Sequence, residues 1–270
     1  MSEPAVTKEV WSGGSTYEPY IGRWSRLVAH QFLTWLGVAP QALWLDVGCG
    51  TGALSQTIFQ LVAPDWVTGI DRSDAFVAYA SQQVRDKRAH FTTGDAQNLP
   101  FEASSFDCAV SGLVLNFVPQ PDRAVAEMVR VTRRGGTVAA YVWDYAGRMQ
   151  LMRYFWDAAL ALDSAALELD EGQRFPLCQP KPLTTLFREA RLVEITVRSI
   201  DVPTIFRDFD DYWTPFLGGQ APAPRYAMSL PEEQRVALRE RLRSILPFQA
   251  DGTLSLIARA WAVKGTHSLP

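Results

Sequence analysis

The sequence predicts an α/β fold in which a parallel β-sheet carries helices on both faces. Two observations support this prediction: short apolar runs alternate with amphipathic segments through residues 42–143, and a glycine-rich loop directly follows the first apolar run. Strands joined through helices pair in parallel by right-handed crossovers, so the alternation predicts a doubly wound sheet. The length of 270 residues suits one large domain.

The predicted elements follow one another in a regular order. Apolar residues at three- and four-residue spacing predict an amphipathic helix at 22–36. Short apolar runs predict buried strands at 42–46, 66–70, 89–93, 106–111 and 137–143. Amphipathic segments predict helices between them at 53–62, 73–84 and 122–132.

The pattern changes after Trp143. Helices are predicted at 151–162, 183–190 and 231–246, and a closing pair of strands at 192–202 and 255–263. The segments 163–182 and 203–230 contain several prolines and glycines and are predicted to be loops. Nearly half of the aromatic residues lie in 141–230, which indicates either a pocket wall or an ordinary core; the candidates are Tyr154, Phe155, Trp156, Phe206, Phe209, Tyr212, Trp213 and Phe216.

Composition narrows the classes of function. The 26 basic and 29 acidic residues give a net charge of -3, which excludes a globally basic nucleic-acid binder. Cys49, Cys108 and Cys178 form no C-x-x-C pair, and no two of the three histidines have H-x-x-x-H spacing. We therefore expect no metal site. The N-terminus lacks the apolar stretch of a signal peptide, and no apolar run reaches the ~18 residues of a spanning helix. We therefore expect a cytoplasmic protein without a membrane partner.

The most informative motif is the glycine loop at 46–53, Asp-Val-Gly-Cys-Gly-Thr-Gly-Ala. Glycines permit positive φ and let the backbone approach a ligand, and the N–H groups at the start of the next helix favour an anionic group. By itself the loop is ambiguous, because Gly48, Gly50 and Ala53 also match a dinucleotide-binding fingerprint. A nicotinamide-dependent oxidoreductase therefore remains an alternative at this point.

Three acidic residues at predicted strand ends bear on this ambiguity. Asp46 precedes the first glycine, where it suits a ligand with an ammonium group better than a pyrophosphate. Asp71 closes the second strand, where a carboxylate can accept hydrogen bonds from both ribose hydroxyls. Asp95 and Ala96 follow the third strand, where an acidic side chain and a backbone N–H suit an adenine edge, although Gly-Asp is also ordinary turn chemistry.

Taken together, these residues resemble the class I S-adenosylmethionine-dependent methyltransferases over roughly residues 20–145, and the N-terminal segment resembles the small-molecule methyltransferase-11 type. The resemblance implies a Rossmann-like, doubly wound seven-stranded sheet of order 3-2-1-4-5-7-6, with the last strand antiparallel and helical lid insertions. It implies S-adenosyl-L-methionine as cofactor and S-adenosyl-L-homocysteine as product. The expected division is an N-terminal arm at 1–21, a cofactor-binding core at 22–145, and lid segments with closing strands of the same domain at 146–270.

The resemblance also implies which residues contact the cofactor. The loop would hold its amino-acid end, Asp71 its ribose, Asp95 its adenine, and backbone groups after the fourth strand its methionine portion. An N-terminal tyrosine or arginine would close over it. The expected cofactor residues are Asp46, Gly48, Cys49 through its backbone, Gly50, Gly52, Asp71, Arg72, Asp95, Ala96, Ser111, Leu113, Tyr17, Tyr20 and Arg23.

Candidate catalytic residues follow the fourth and fifth strands, because α/β sheets bind ligands at the carboxyl ends of their strands. Asp144 and Tyr145 follow the fifth strand, and Asn116 follows the fourth and could orient an acceptor. Each could instead be a helix cap or a loop hydrogen bonder. A general base is needed only if the acceptor must lose a proton.

The function expected from the sequence is methyl transfer to a small, partly apolar molecule by in-line displacement. The alternative is a non-catalytic module that binds S-adenosylmethionine or S-adenosylhomocysteine. The acidic balance disfavours a nucleic-acid acceptor, and the sequence leaves the oligomeric state open.

Overall fold

One seven-stranded sheet of order β3-β2-β1-β4-β5-β7-β6 organises the protein. The computed structural model describes residues 21–218 and 221–268. Strand β7 is antiparallel to β5 and β6, and the other pairs are parallel. This confirms the predicted fold class and strand order. The strands are β1 (Leu43–Val47), β2 (Trp66–Asp71), β3 (Ala89–Thr93), β4 (Phe106–Gly112), β5 (Thr132–Trp143), β6 (Leu192–Phe206) and β7 (Leu254–His267).

Helices cover both faces of the sheet. Within the described residues, no helix is long and apolar enough to cross a membrane. The helices are α1 (Arg23–Leu36), α2 (Ala53–Leu61), α3 (Asp74–Gln83), α4 (Pro121–Val131), α5 (Gln150–Leu162), α6 (Glu171–Arg174), α7 (Pro180–Glu189), α8 (Phe209–Trp213), α9 (Pro222–Ser229) and α10 (Glu232–Ile245). Short 3₁₀ turns occupy Leu115–Phe117, Ser164–Leu169 and Thr214–Gly218.

The centre of the sheet is buried on both faces, which is why its strands appear in the sequence as short apolar runs. In β1, Trp44, Leu45 and Val47 are almost completely inaccessible to solvent, as are Cys108 and Val110 in β4. Side chains from the covering helices complete a single hydrophobic cluster around these strands. This core holds the carboxyl ends of the strands in place.

Two parts of the C-terminal half differ from the sequence prediction. They are the last two strands, β6 and β7, and the segments 163–182 and 203–230, which were predicted to be loops. Strands β6 and β7 pair from Leu192 opposite His267 to Phe206 opposite Leu254, so both are longer than predicted. The predicted loops contain α6, α8 and α9, and Pro180 and Pro222 begin helices α7 and α9 rather than interrupting structure. Proline suits a first helical turn because the N–H it lacks would have no partner there.

The aromatic residues of the C-terminal half belong to the hydrophobic core. Phe155 and Phe216 stack with ring centroids 4.5 Å apart, and the Tyr212 hydroxyl donates to the Leu151 carbonyl at 2.9 Å. Of the eight candidates for a pocket wall, all but Tyr154 are buried. The ordinary-core alternative is therefore the one that the structure supports, because these side chains pack against each other between α5, β6 and α8.

Truncating this cluster should lower stability. We expect Phe216→Ala to reduce the free energy of unfolding by about 3–5 kcal/mol, because it leaves a cavity at a fully buried site. Urea denaturation measures the effect. Val236→Ala, at an exposed position of α10, is the matched control and should change stability by less than about 0.5 kcal/mol. An unaffected Phe216→Ala variant would contradict the core assignment.

Candidate cofactor and acceptor site

The parallel register brings the predicted acidic residues to one edge of the sheet. Asp46 lies opposite Gly69 of β2 and Val110 of β4, and Asp71 lies opposite Thr93 of β3. Asp95 follows β3 two residues beyond Thr93. All three acids are thus at the carboxyl ends of neighbouring strands, where open α/β sheets bind their ligands.

The glycine loop is packed on one side and open on the other. Gly48, with a φ of 75°, donates its N–H to the Ile70 carbonyl at 2.7 Å. An added Cβ there would lie 2.5 Å from Cγ1 of Val114. Gly50 also has a positive φ, of 51°, but an added Cβ would meet no atom of the described residues within 4 Å. The loop therefore offers a backbone surface at Gly50 that a ligand can approach.

Asp46 carries a buried carboxylate with one oxygen unpaired. Its Oδ2 accepts a hydrogen bond from the Ser55 hydroxyl at 2.7 Å, whereas Oδ1 has no hydrogen-bond partner among residues 21–218 and 221–268. Burial raises the pKa of this carboxyl to about 7. An ammonium group at Oδ1 would supply the missing donor and favour the ionised form.

Asp71 is oriented by the backbone on both sides. Its Oδ2 accepts from the Gly50 N–H and its Oδ1 from the Ser73 N–H, each at 3.0 Å. Burial raises the pKa of the Asp71 carboxyl, and these two hydrogen bonds and the charge of Arg72 oppose the shift. A carboxylate oxygen accepts more than one hydrogen bond, so both oxygens can still receive ribose hydroxyls.

Asp95 is exposed and folds back on its own turn. It accepts hydrogen bonds from the Gln97 backbone N–H at 2.9 Å and from Gln97 Nε2 at 3.0 Å. These bonds lower the pKa of Asp95, with a smaller contribution from Arg72. The side chain thus performs the turn chemistry that the sequence left open, while Ala96 beside it is partly buried.

The residues after β4 contribute through the backbone. The Ser111 hydroxyl is fully buried and donates to the Val47 carbonyl at 2.9 Å, so it ties β4 to the end of β1. Leu113 has a φ of 62° and donates its N–H to the Tyr141 carbonyl at 2.7 Å. A leucine in the left-handed region is strained, and such strain is typical of ligand-binding turns.

Cys49 is buried inside the loop, where its backbone N–H donates to the Ile70 carbonyl at 3.0 Å. Burial, together with the charges of Asp46 and Asp71, raises the pKa of the Cys49 thiol well above its ordinary value. A thiol held in the neutral form is a poor nucleophile. The thiol of Cys49 is therefore a poor candidate for a catalytic nucleophile, and a contact of its backbone with the cofactor stays a prediction.

Of the three residues expected to close over the cofactor, only Arg23 lies within the described residues. Tyr17 and Tyr20 lie outside the described residues. The Arg23 guanidinium pairs with Asp211 at 3.2 Å and lies 4.5 Å from the ring centre of Trp24 and 4.8 Å from that of Phe206. These contacts tie α1 to the end of β6 and to α8, and none of the described contacts of Arg23 reaches the glycine loop.

Asp144 accepts the hydrogen bonds that close the turn after β5. Its Oδ2 accepts from the Arg148 N–H at 2.9 Å, and its carbonyl accepts from the N–H groups of Gly147 and Met149. The side chain is buried above Gly147, where an added Cβ would lie 2.5 Å from Oδ2. These contacts match the loop-hydrogen-bonding alternative better than that of a general base.

Two aromatic residues that the sequence analysis missed lie beside the other catalytic candidates. Phe175 contacts Phe117, with ring centroids 5.1 Å apart, and Tyr145, at 5.6 Å. Asn116, next to Phe117, has a buried Nδ2 that finds no hydrogen-bond partner within the described part of the chain. Nothing in the sequence around Phe175 signals this contact, because it depends on the folding of a segment predicted to be a loop.

Comparisons with known proteins agree with this geometry. A family model described as a methyltransferase domain matches residues 45–140. Demethylmenaquinone methyltransferase of Roseiflexus castenholzii is 30% identical over 167 residues, which are 58% of this chain and 70% of that protein. An uncharacterised 37.1 kDa protein in transposon TN4556 of Streptomyces fradiae is 30% identical over 177 residues, 59% of this chain; the match spans only half of that relative's length.

The fold is also shared with solved structures. Phosphoethanolamine N-methyltransferase 2 of Haemonchus contortus, in complex with S-adenosyl-L-methionine, superposes with a TM-score of 0.59 at 17% identity, covering 93% of this chain and 56% of that one. At this identity the likeness concerns the fold alone. The match to the Roseiflexus enzyme over 70% of its length goes further. The chain belongs to the class I S-adenosylmethionine-dependent methyltransferases, enzymes whose cofactor is S-adenosylmethionine.

Proposed function

We propose that the protein transfers a methyl group from S-adenosylmethionine to a small, partly apolar acceptor by in-line displacement. The observation that carries this proposal is the glycine loop, which is open at Gly50 and has the unpaired Asp46 Oδ1 beside it. The relative from Roseiflexus castenholzii supports a small-molecule acceptor, because demethylmenaquinone is a small molecule. Because the chain belongs to this family, we set aside the alternative of a nicotinamide-dependent oxidoreductase.

The residues of the site suit the cofactor. Asp46 Oδ1 would accept the ammonium group, and the loop backbone at Gly48, Gly50 and Gly52 would approach the amino-acid portion. The backbone-oriented carboxylate of Asp71 would accept the ribose hydroxyls. The turn of Asp95 and Ala96 would meet the adenine.

When bound, the cofactor supplies a methyl group on a positively charged sulfur. A lone pair of the acceptor forms the new bond to the methyl carbon while the carbon–sulfur bond breaks, and that electron pair stays on sulfur. The protein contributes mainly position, holding the acceptor atom about 3–3.5 Å from the methyl carbon. Asn116 and Tyr145 are on the acceptor side, and Asp144 orients Tyr145 through its turn.

A non-catalytic binding module is the second candidate. It is favoured by one observation, the engagement of the Asp144 carboxylate in a turn, which removes the most evident base. Release of S-adenosylhomocysteine over a panel of small metabolites distinguishes the two candidates. An enzyme shows release that depends on the acceptor, and a binding module shows none.

Removing the ribose carboxylate should weaken cofactor binding. We expect Asp71→Ala to reduce the affinity for S-adenosylhomocysteine about 10- to 100-fold, since it loses two charge-assisted hydrogen bonds. Calorimetric titration measures this affinity. Asp86→Ala, which removes a partly exposed carboxylate paired with Arg88, is the control and should leave this affinity unchanged. Unaltered binding by Asp71→Ala would refute the assignment of the ribose site.

Cofactor affinity should depend on pH through Asp46. Its pKa of about 7 means that below pH 7 the carboxyl must first lose a proton before it meets the ammonium group. We therefore expect affinity to fall roughly 10-fold for each pH unit as pH decreases from 7 to 5.5, following proton linkage. Asp46→Asn should bind more weakly at pH 7.5 and show no such slope. A wild-type affinity independent of pH would contradict the ammonium contact.

The buried carboxylate of Asp46 should lower the free energy of unfolding at neutral pH. The pKa of Asp46 is raised from 3.8 to about 7 in the folded state, so the folded protein holds the proton more tightly and loses stability as pH rises between these values. We expect Asp46→Asn to be more stable than wild type at pH 8, by up to about 4 kcal/mol. Near pH 4 the two proteins should be similar. Urea denaturation at both pH values measures this, and a less stable variant at pH 8 would contradict it.

A further inference from the structure

A groove of about 540 Å³ lies beside the turn after β5. Part of its lining is one face of α5, where polar side chains recur at three- and four-residue spacing: Gln150, Arg153, Tyr154 and Asp157. Residues 146–147 of the turn and Gln173 in α6 complete the lining. None of these residues is among those predicted for the cofactor or for catalysis, so the groove has no assigned ligand.

The lining of this groove is mainly polar. Ligand-binding sites of this size, ~300–1,000 Å³, are usually lined by apolar side chains with a few polar groups among them. Here Ala146 and Tyr154 supply most of the apolar surface, and the other side chains are amides or charged groups. An apolar ligand would take these polar groups out of water without replacing their hydrogen bonds, which is unfavourable. The groove therefore suits a ligand rich in hydrogen-bonding groups.

Arg153 is a fixed part of the groove, and its charge is used within the protein. Its Nη1 donates to both oxygens of Asp170, at 2.8 and 2.9 Å, and to the Tyr145 carbonyl at 3.3 Å. Its Nη2 donates to Asp157 Oδ1 at 2.8 Å. One guanidinium thus serves two carboxylates, and the Asp170 side chain is only 2% exposed. Since the other described residues that line the groove carry no positive charge, it offers no free cation to an anionic ligand.

Gln150 and Asp157 present unused hydrogen-bonding atoms at the two ends of this helix face. Gln150 Oε1 accepts the Ile257 N–H at 2.6 Å, which orients the amide and leaves its Nε2 as a donor. Asp157 keeps Oδ2 as an acceptor, on a side chain that is 62% exposed. Within residues 21–218 and 221–268, neither atom has a hydrogen-bond partner. The step from Gln150 to Asp157 is about 10 Å along the helix axis.

Tyr154 lies between these two side chains on the same face of α5. Of the eight aromatic residues that the sequence singles out in the C-terminal half, it is the one that is not buried. Its ring offers an apolar surface, and its hydroxyl can both donate and accept a hydrogen bond. Packing of the core therefore does not account for the position of this ring.

The geometry points to an uncharged polyhydroxylated ligand of two linked rings, the disaccharide class, as the occupant of this groove. A hydroxyl both donates and accepts, so hydroxyls at the two ends of such a ligand accept from Gln150 Nε2 and donate to Asp157 Oδ2. The C–H face of a ring packs against Tyr154. An ammonium ligand has donors only and leaves Gln150 Nε2 unpaired, whereas an anion meets Asp157 without a free cation. This ligand site goes beyond the proposed function and does not depend on it.

Three probes test the class directly. They are maltose, which has two linked rings, glucose, which has one, and spermidine, an extended polyamine cation. Dissociation constants are measured by calorimetric titration of the full chain. We expect maltose to bind about 10-fold more tightly than either of the others, because glucose loses one of the end contacts and spermidine cannot accept from Gln150.

Variants at the two ends assign the contacts. Asp157→Leu removes the acceptor at an exposed position, and Gln150→Met removes the amide while keeping the length of the side chain. Each variant should lower the affinity for maltose about 10-fold and abolish its preference over glucose. Glu240→Leu, which removes an exposed carboxylate paired with Arg239 on α10, is the matched control and should change neither. Asp157→Leu keeps the assignment testable if Gln150→Met does not fold.

A further variant separates this groove from the cofactor site, where a carboxylate also suits sugar hydroxyls. Asp71→Ala should leave the affinity for maltose unchanged, because Asp71 does not line the groove. Loss of maltose binding in Asp71→Ala would place maltose at the cofactor site and overturn the inference.

The outcomes distinguish this inference from the proposed function. The inference is overturned if maltose does not bind, if glucose or spermidine binds as tightly as maltose, or if Asp157→Leu keeps the preference for maltose. A failure of wild-type protein to bind S-adenosylhomocysteine contradicts the proposed function alone.

Discussion

The parallel register of β1 with β2 and β4 is the constraint on which the rest of the structure depends. It places the end of β1 beside Ile70, whose carbonyl accepts the N–H groups of Gly48 and Cys49 and turns the loop back over the sheet. The Ser111 hydroxyl ties β4 to the carbonyl of Val47 at the same level. The three acidic residues line up only because these strands end together.

That alignment has an energetic cost at Asp46. A carboxylate at the end of a central strand is removed from water, and its hydrogen bonds with Ser55 do not replace its hydration. The raised pKa of Asp46 reflects the unfavourable burial of its charge. A hydrogen-bond donor of a ligand at Oδ1 would reduce this penalty. Burial also raises the pKa of Asp71, but two backbone N–H groups oppose this shift and orient the carboxylate. The two neighbouring acids thus differ in how their burial is offset, because their hydrogen-bond partners differ.

One group of rings beyond the strand ends comes from segments far apart in sequence. Phe117, Tyr145 and Phe175 lie after β4, after β5 and after α6, and the ring of Phe175 contacts the other two. The much larger aromatic cluster around Phe155 and Phe216 fills the interior instead. Position relative to the strand ends, and not aromatic content, determines which rings can face a ligand.

The sequence by itself determined the parallel sheet and its acidic edge, because strand periodicity, the glycine loop and Asp46, Asp71 and Asp95 are local patterns. The strand order followed from the family resemblance that these patterns carry. It also indicated Asn116 and Tyr145 by their places after strands. Only the tertiary structure decided that Asp144 holds a turn, that Arg23 contacts the end of β6, and that Phe175 lies beside Tyr145. These outcomes depend on partners far away in sequence, and no local pattern of residues encodes which distant side chain occupies a given space.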